Sequence, residues 1–211
     1  MSPRTKLRRL PKRGAHDRET IDAILDEAMV CHLGFVHEGR PVVIPTLHAR
    51  VGDEVLVHGS AASRALRTLA GGVEVCLTAT LIDGLVLARS AFHHSVNYRS
   101  VVLYGTARPL TEAEELERAL EAFTEKLVPG RWADVRWPTR KELKGTAALA
   151  LPIAEGSAKV RTGPPVDDDE DHALDTWAGV VPMRTETLEP VRDPQLRDDI
   201  ATPAYVDALV S

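Results

Sequence analysis

The chain has 211 residues, a net charge of -5, 44% apolar residues and only 4% aromatics. That length fits one domain with an extended tail, and Val, Leu, Ile and Ala must fill its core in place of rings. The acidic balance argues against a protein that covers its surface with nucleic acid, and leaves charge to act locally.

The first thirteen residues, MSPRTKLRRLPKR, carry six Lys or Arg and no acid. They read as a solvated basic arm over residues 1–16, with contact to nucleic acid or another anionic partner as the alternative. They lack the apolar centre of a secretion signal, and no apolar run reaches the roughly 18 residues a membrane span needs. The expected location is therefore cytoplasmic, without a membrane. Cys31 and Cys76 sit in apolar runs without CxxC spacing, which predicts two buried reduced thiols.

Asp17 is placed to cap a helix running to about Met29, with Ile21, Ile24, Leu25, Ala28 and Met29 on one face. VCHLGFVH (30–37), PVVIPTLHARV (41–51) and EVLVH (54–58) read as three strands joined by the tight turns at Gly39 and Gly52-Asp53, an antiparallel meander. Pro45 inside the second strand places it at a sheet edge or a bulge. A short helix over 62–69 follows, stopped by Gly71-Gly72. VEVCLTAT (73–80), a turn at Asp83-Gly84 and GLVLARS give two more strands. SVVLYGTARPL (100–110) gives the last long one. TEAEELERALEAFTEKL (111–127) is an amphipathic helix with Thr111 as cap and Glu114 completing a capping box. Residues 146–153 return to the sheet. From 155 the chain reads as irregular, and the acidic run DDDED (167–171) as a solvated loop. The expected fold is α+β and mainly β, an antiparallel barrel with flanking helices. The main domain spans 17–190, with a C-terminal tail over 191–211.

Three stretches carry hydrogen-bonding chemistry. In HGSAASR (58–64) a strand ends at His58, Gly59 permits close backbone approach, and Ser60, Ser63 and Arg64 offer groups for a phosphate. An ordinary Ser-capped helix with a surface arginine explains that segment equally well. In RSAFHHSVNYRSV (89–101) strand alternation puts Asn97, Arg99 and Val101 on one face and Tyr98 and Ser100 on the other. Polar groups on both faces suit a ligand cleft or a subunit seam. His93 and His94 are adjacent and cannot easily share one ion, so no metal is expected there. In the tail, Lys159, Arg161 and Trp177 could cover an aromatic anion. No nucleophile–base spacing or carboxylate dyad stands out, which assigns any difficult chemistry to a cofactor.

Several segments together resemble the flavin-nucleotide-binding branch of the pyridoxamine 5′-phosphate oxidase-like family, which includes the nitroimidazole-resistance proteins. They are RTKLRRLPKRGAHD, GRPVVIPTLHAR, VHGSAASR, DGLVLARSAFHHSVNYRSVVLYG, VPGRW, SAKVRTGPP and WAGVVP, in the family's order over residues 4–183. The resemblance implies a split β-barrel, a homodimer and two FMN, or occasionally FAD, molecules at the subunit interface. It implies that Pro45, Thr46 and Leu47 run along the isoalloxazine edge. His58, Gly59, Ser60, Ser63 and Arg64 would bind the phosphate end. Asn97, Tyr98, Arg99, Ser100 and Val101 would line the flavin, and Lys159, Arg161 and Trp177 would come from the partner's tail. His58 matches a position given a functional role in the resistance proteins, and is the candidate catalytic residue. The C-terminus, VRDPQLRDDIATPAYVDALVS, lacks the Arg- and His-rich motif of the vitamin B6 oxidase, so that enzyme's reaction is not implied. The function expected is a flavin-dependent oxidoreductase of a small organic substrate. The alternatives are a non-catalytic flavin binder, or a split barrel adapted to haem or a deazaflavin.

Overall fold

The computed structural model describes residues 2–210. A two-residue strand β1 (Gly14–Ala15) precedes helix α1 (Arg18–Glu27). The Asp17 carboxylate accepts the Thr20 N–H at 2.8 Å, the capping expected from sequence. Ile21, Ile24 and Leu25 are buried, but the helix stops at Glu27, and Met29 is exposed beyond it. Strands β2 (Val30–His37) and β3 (Arg40–Leu47) form a hairpin. Its turn residues Glu38 and Gly39 both have positive φ, the geometry that matches the twist of two-residue hairpins.

The expected meander is divided between two sheets. The chain breaks at His48, whose ring is buried and bonds the carbonyl of Leu25 at 2.9 Å. Beyond it β4 (Ala49–Val51) pairs with β5 (Glu54–Ser60) in a second sheet. Helix α2 (Arg64–Ala70) begins after Ser63, whose hydroxyl accepts the Leu66 N–H, two residues later than expected. The predicted turn at Asp83-Gly84 is a bulge within one fourteen-residue strand, β6 (Glu74–Leu87), whose register with its neighbour shifts between Ile82 and Gly84. A side chain at Gly84 would lie 2.9 Å from the carbonyl oxygen of Val181, so only glycine lets that strand approach. The last long strand also divides. β7 (Ser95–Thr106) stays in the first sheet, and β8 (Arg108–Leu110) crosses to the second.

Helix α3 (Ala113–Leu127) lacks the expected Thr111 box. Its N-cap is Glu112 with no side-chain cap, and the Thr111 hydroxyl is turned to the Glu112 carboxylate. A capping box forms instead at α4 (Arg140–Gly145), between Thr139 and Glu142. Strand β9 (Thr146–Pro152) follows as expected. The segment from 155 is not irregular at its start. β10 (Glu155–Arg161) pairs with β7 over seven residues, and β11 (Gly179–Pro182) pairs with the distal half of β6. A single turn of helix, α5 (Ala204–Asp207), lies near the end.

The larger sheet runs β1-β10-β7-β6-β2-β3, with β11 beside β6. The smaller runs β4-β5-β9-β8, and every pairing is antiparallel. Their inner faces enclose Leu33, Phe35, Val55, Val57, Leu77, Leu103, Leu149 and Leu151, with α1 packed against them. Phe123, Leu116 and Ala119 of α3 cover the other face of the smaller sheet at Leu56, Ala148 and Ala150. This is the split barrel expected from sequence, with flanking helices. Of the basic arm, Arg4 is drawn onto the larger sheet by Glu74 and Glu155, its guanidinium 5.0 Å from the Tyr104 ring centre.

Candidate functional site

Strand alternation sorts the predicted site residues. Register aligns Val101, Ala79, Cys31 and Thr46 in one row, and Val101, Ala79 and Cys31 are fully buried in the core. The adjacent row sets Pro45 beside His32 and Thr78, and the next sets Lys159 beside Ser100 and Thr80. Pro45, Leu47, Tyr98, Ser100 and Lys159 therefore share the outer face of the larger sheet. Thr46, Asn97, Arg99 and Val101 are turned the other way.

The inward polar groups are already engaged, and so is Arg161, which register sets opposite Tyr98 but which is buried at the sheet's end. Arg99 holds Glu27 at the end of α1 and Asp83 on β6, the latter at 2.7 Å. The Arg99 guanidinium keeps the Glu27 carboxyl below its ordinary range. Asn97 and Arg161 are buried and bonded to one another, and both also donate to the carbonyl of Gly163. These residues fix the end of the barrel and the turn after β10. The acidic run is not simply solvated: Asp167 has a side chain 1% exposed, pairs with Arg89 at 2.8 Å and accepts its N–H at 3.0 Å. His93, Asp168 and Asp171 bring ligand atoms within 4.8 Å of one another, with His93 and Asp168 hydrogen-bonded across the protein surface. Trp177 is 66% exposed and lies against Gly179, beside the distal half of β6.

The outer face is open and carries exposed apolar side chains among its polar ones. Val43 is 65% exposed, and Val36, Val30 and Ile82 join it on the same side. β3 is an edge strand, so the backbone groups of Pro45–Leu47 on its open side have no sheet partner. Helix α2 is fastened beside this hairpin by the Thr68 hydroxyl and His37 Nδ1, 3.0 Å apart. Arg64 on that helix is exposed, and its guanidinium makes no hydrogen bond or ion pair, only its carbonyl accepting the Thr68 hydroxyl at 2.9 Å. Ser60 and Ser63 are spent on local turns, accepting the Ala62 and Leu66 N–H groups, although each hydroxyl keeps a proton to donate.

His58 is on neither of these faces. It points to α3, its ring centroid 4.1 Å from that of Phe123. Its Nδ1 is buried without a partner, and burial lowers its proton affinity. Sequence reasoning missed His32, an exposed imidazole without a partner beside Pro45. Its alternation with Cys31 and Leu33 in VCHLGF was the signal.

A two-sheet antiparallel split barrel with an uncovered, partly polar outer face is the architecture of flavin-binding split barrels, and the comparisons agree with that class. Residues 17–160 match the family model described as pyridoxamine 5′-phosphate oxidase, and the chain belongs to that family. It is 42% identical to the flavocytochrome Anf3 from Azotobacter vinelandii, over 99% of this chain and 97% of that one, with a TM-score of 0.94. It is 39% identical to the FAD and heme binding protein from Mycobacterium smegmatis, over 94% of this chain and 97% of that one, with a TM-score of 0.90. A Bacteroides thetaiotaomicron protein described as a 5-nitroimidazole antibiotic resistance protein shares the fold at 21% identity and a TM-score of 0.59, over 70% of this chain and 86% of that one. No curated protein matches. Among the described residues no helix is long and apolar enough to cross a membrane.

Proposed function

We propose that the chain is a redox protein that binds a flavin nucleotide, and with it haem, at a homodimer seam on the outer face of the larger sheet. The carrying observation is the division of that face. Pro45 and Leu47 on β3 are separated from Tyr98 and Ser100 on β7 by two intervening strands, about 14 Å at ordinary strand spacing. One isoalloxazine edge touches both sets readily when one comes from each of two copies. The exposed Val43, Val36, Val30 and Ile82 favour the same seam, because an open apolar sheet face of this kind needs a cover.

The residues fit a flavin. The open edge of β3 offers backbone donors and acceptors to a heterocycle, and the unpaired Arg64 offers a guanidinium to a phosphate. FAD rather than FMN is favoured by the 39%-identical relative described as binding FAD and heme, and the 42%-identical one is described as a flavocytochrome. Those relatives also favour haem over a deazaflavin. His32, whose imidazole has no hydrogen bond and stands beside Pro45 on that face, is the residue placed to ligate it. When bound, the flavin would accept or pass hydride and a haem would pass single electrons. The chain would anchor the phosphate, orient the ring and exclude water.

An absorption spectrum of the purified protein, followed by mass analysis of the released cofactor, tests this. Flavin bands with FAD in the supernatant, and a Soret band where haem is present, are expected. Arg64→Ala is expected to weaken flavin binding by about 10- to 100-fold, the ordinary cost of one charge-assisted phosphate contact. A colourless protein that takes up neither FAD, FMN nor haem overturns the proposal. A coloured protein without turnover in the presence of a nicotinamide donor removes the oxidoreductase and leaves a carrier.

A further inference from the structure

Beyond the phosphate turn at 58–64 lies a cleft of about 460 Å³ between α3, α4 and the smaller sheet. Its floor is apolar, formed by Leu110, Leu116 and Leu143. Its rim carries two cations four residues apart on α4, Arg140 and Lys144. Neither has an ion pair or a hydrogen bond, and no carboxylate lines the cleft, in a chain whose acids outnumber its Lys and Arg by 31 to 26. The nearby acid on α4, Glu142, is already committed to Arg136 and to the Thr139 cap. The amides at that helix end are therefore not the attraction. The two free side chains are.

The cleft is joined to the predicted phosphate turn through shared backbone. Ser60 pairs with Thr146, which lines the cleft, and the Ala61 N–H donates to the Gly145 carbonyl at 2.9 Å. A ligand anchored at Ser60 and Arg64 thus has its continuation at Arg140 and Lys144. An apolar floor below two uncompensated cations suits a flat ring carrying phosphate, and the volume lies within the range of small-molecule sites. We propose that this cleft is a nucleotide-phosphate subsite that takes the adenylate half of FAD, with Arg140 and Lys144 on the diphosphate and the leucine floor under adenine. This rests on the flavin-binding reading above and extends it to residues outside the family match's expected flavin contacts. The same chemistry could instead serve the adenylate of a nicotinamide dinucleotide donor.

The test is the double variant Arg140→Gln/Lys144→Gln, made in the full chain and compared with wild type by titration with FAD, with FMN and with ADP alone. The expected result is FAD affinity lowered by about 10- to 100-fold with FMN affinity unchanged within about twofold, and ADP binding abolished. An unchanged unfolding midpoint confirms that both proteins are folded, since both side chains are exposed. Equal losses for FAD and FMN, or no loss for either, overturn the proposal. Unchanged FAD affinity with a raised KM for the nicotinamide donor assigns the cleft to the donor and overturns the FAD assignment. Should wild type bind no flavin, the flavin reading fails on its own. ADP then decides the cleft separately: binding lost in the variant supports a nucleotide subsite, and no binding to wild type overturns it.

Discussion

Lowering the pH from 7 to 5 should destabilise the protein through one histidine. His48 is 1% exposed, and its Nε2 lies 2.9 Å from the Leu25 carbonyl and 3.2 Å from Lys126 Nζ. A neutral imidazole nitrogen cannot both donate to that carbonyl and accept from the ammonium, and Lys126 already donates to Leu25 and Ala28 at 2.7 Å each. Burial first, and the Lys126 charge second, push the His48 pKa down to about 4 from 6.5. The folded state therefore refuses a proton that the unfolded chain takes up below pH 6.5. The stability is complete above that pH and is lost as the pH falls toward 4. At pH 5 the unfolded chain is mostly protonated at this site and the native state is not, a loss of about 2 kcal/mol relative to pH 7. Lys126, itself brought down to about 8 by burial, is charged at both pH values and adds little slope between them. The assay is urea unfolding at pH 7 and pH 5, at fixed protein concentration and cofactor loading, for wild type and His48→Gln. Glutamine keeps a neutral donor near the Leu25 carbonyl and cannot titrate. Its loss between the two pH values should be smaller than that of wild type by about 2 kcal/mol, roughly 1 M in midpoint at a typical urea slope. Equal losses in the two proteins would refute the reasoning, whatever the substitution does to stability at pH 7.

Thr139→Ala should cost about 1 kcal/mol of unfolding free energy by chemical denaturation, since it removes the capping box of α4, while Thr111→Ala should cost far less because Thr111 caps nothing. Leu103→Ala should cost about 2–5 kcal/mol by the same measurement, because Leu103 is fully buried between the two sheets. Burial raises the Cys31 thiol to about 12, so a thiol reagent at pH 8 should leave it unmodified in the native protein and modify it in denaturant, as peptide mass analysis would show.

Strong local signals were legible in the sequence, and the parts set by distant partners were not. Asp17 announces α1 because a carboxylate before an apolar periodic run satisfies helix amides wherever the rest of the chain goes. Pro45 announces an edge strand because it lacks an amide proton. The division of 41–51 at His48 carries no local mark, since it depends on the Leu25 carbonyl and Lys126 lying at hydrogen-bond distance from the ring's Nε2. Asp83-Gly84 has turn chemistry, yet β11 pairs alongside and holds it in a strand, with the glycine needed for close approach rather than reversal. β10 reads as irregular because its small and polar residues carry no strand pattern of their own. Only its pairing with β7 makes EGSAKVR a strand. Thr111 and Thr139 both precede an acid three residues later, and the sequence pattern does not distinguish the pair that closes from the pair that does not.

The same alternation separates what the stretch 97–101 does for the fold from what it can do for a ligand. Asn97 and Arg99 are polar because the barrel end needs them: Asn97 with Arg161 secures the turn at Gly163, and Arg99 joins α1 to β6 through Glu27 and Asp83. Their substitution would disturb any bound flavin indirectly, by loosening the strand on which Tyr98 and Ser100 stand. Tyr98 has no such duty in the core, and Ser100 only donates to the Lys159 carbonyl at 3.3 Å; both share their face with Pro45, Leu47 and Lys159. A substitution series therefore has a physical sorting rule. Changes at 97 and 99 should lower stability and flavin affinity together, while changes at 98 and 100 should lower affinity with stability retained. The polarity of the stretch has two origins on two faces, and the outer one alone is free to meet another molecule.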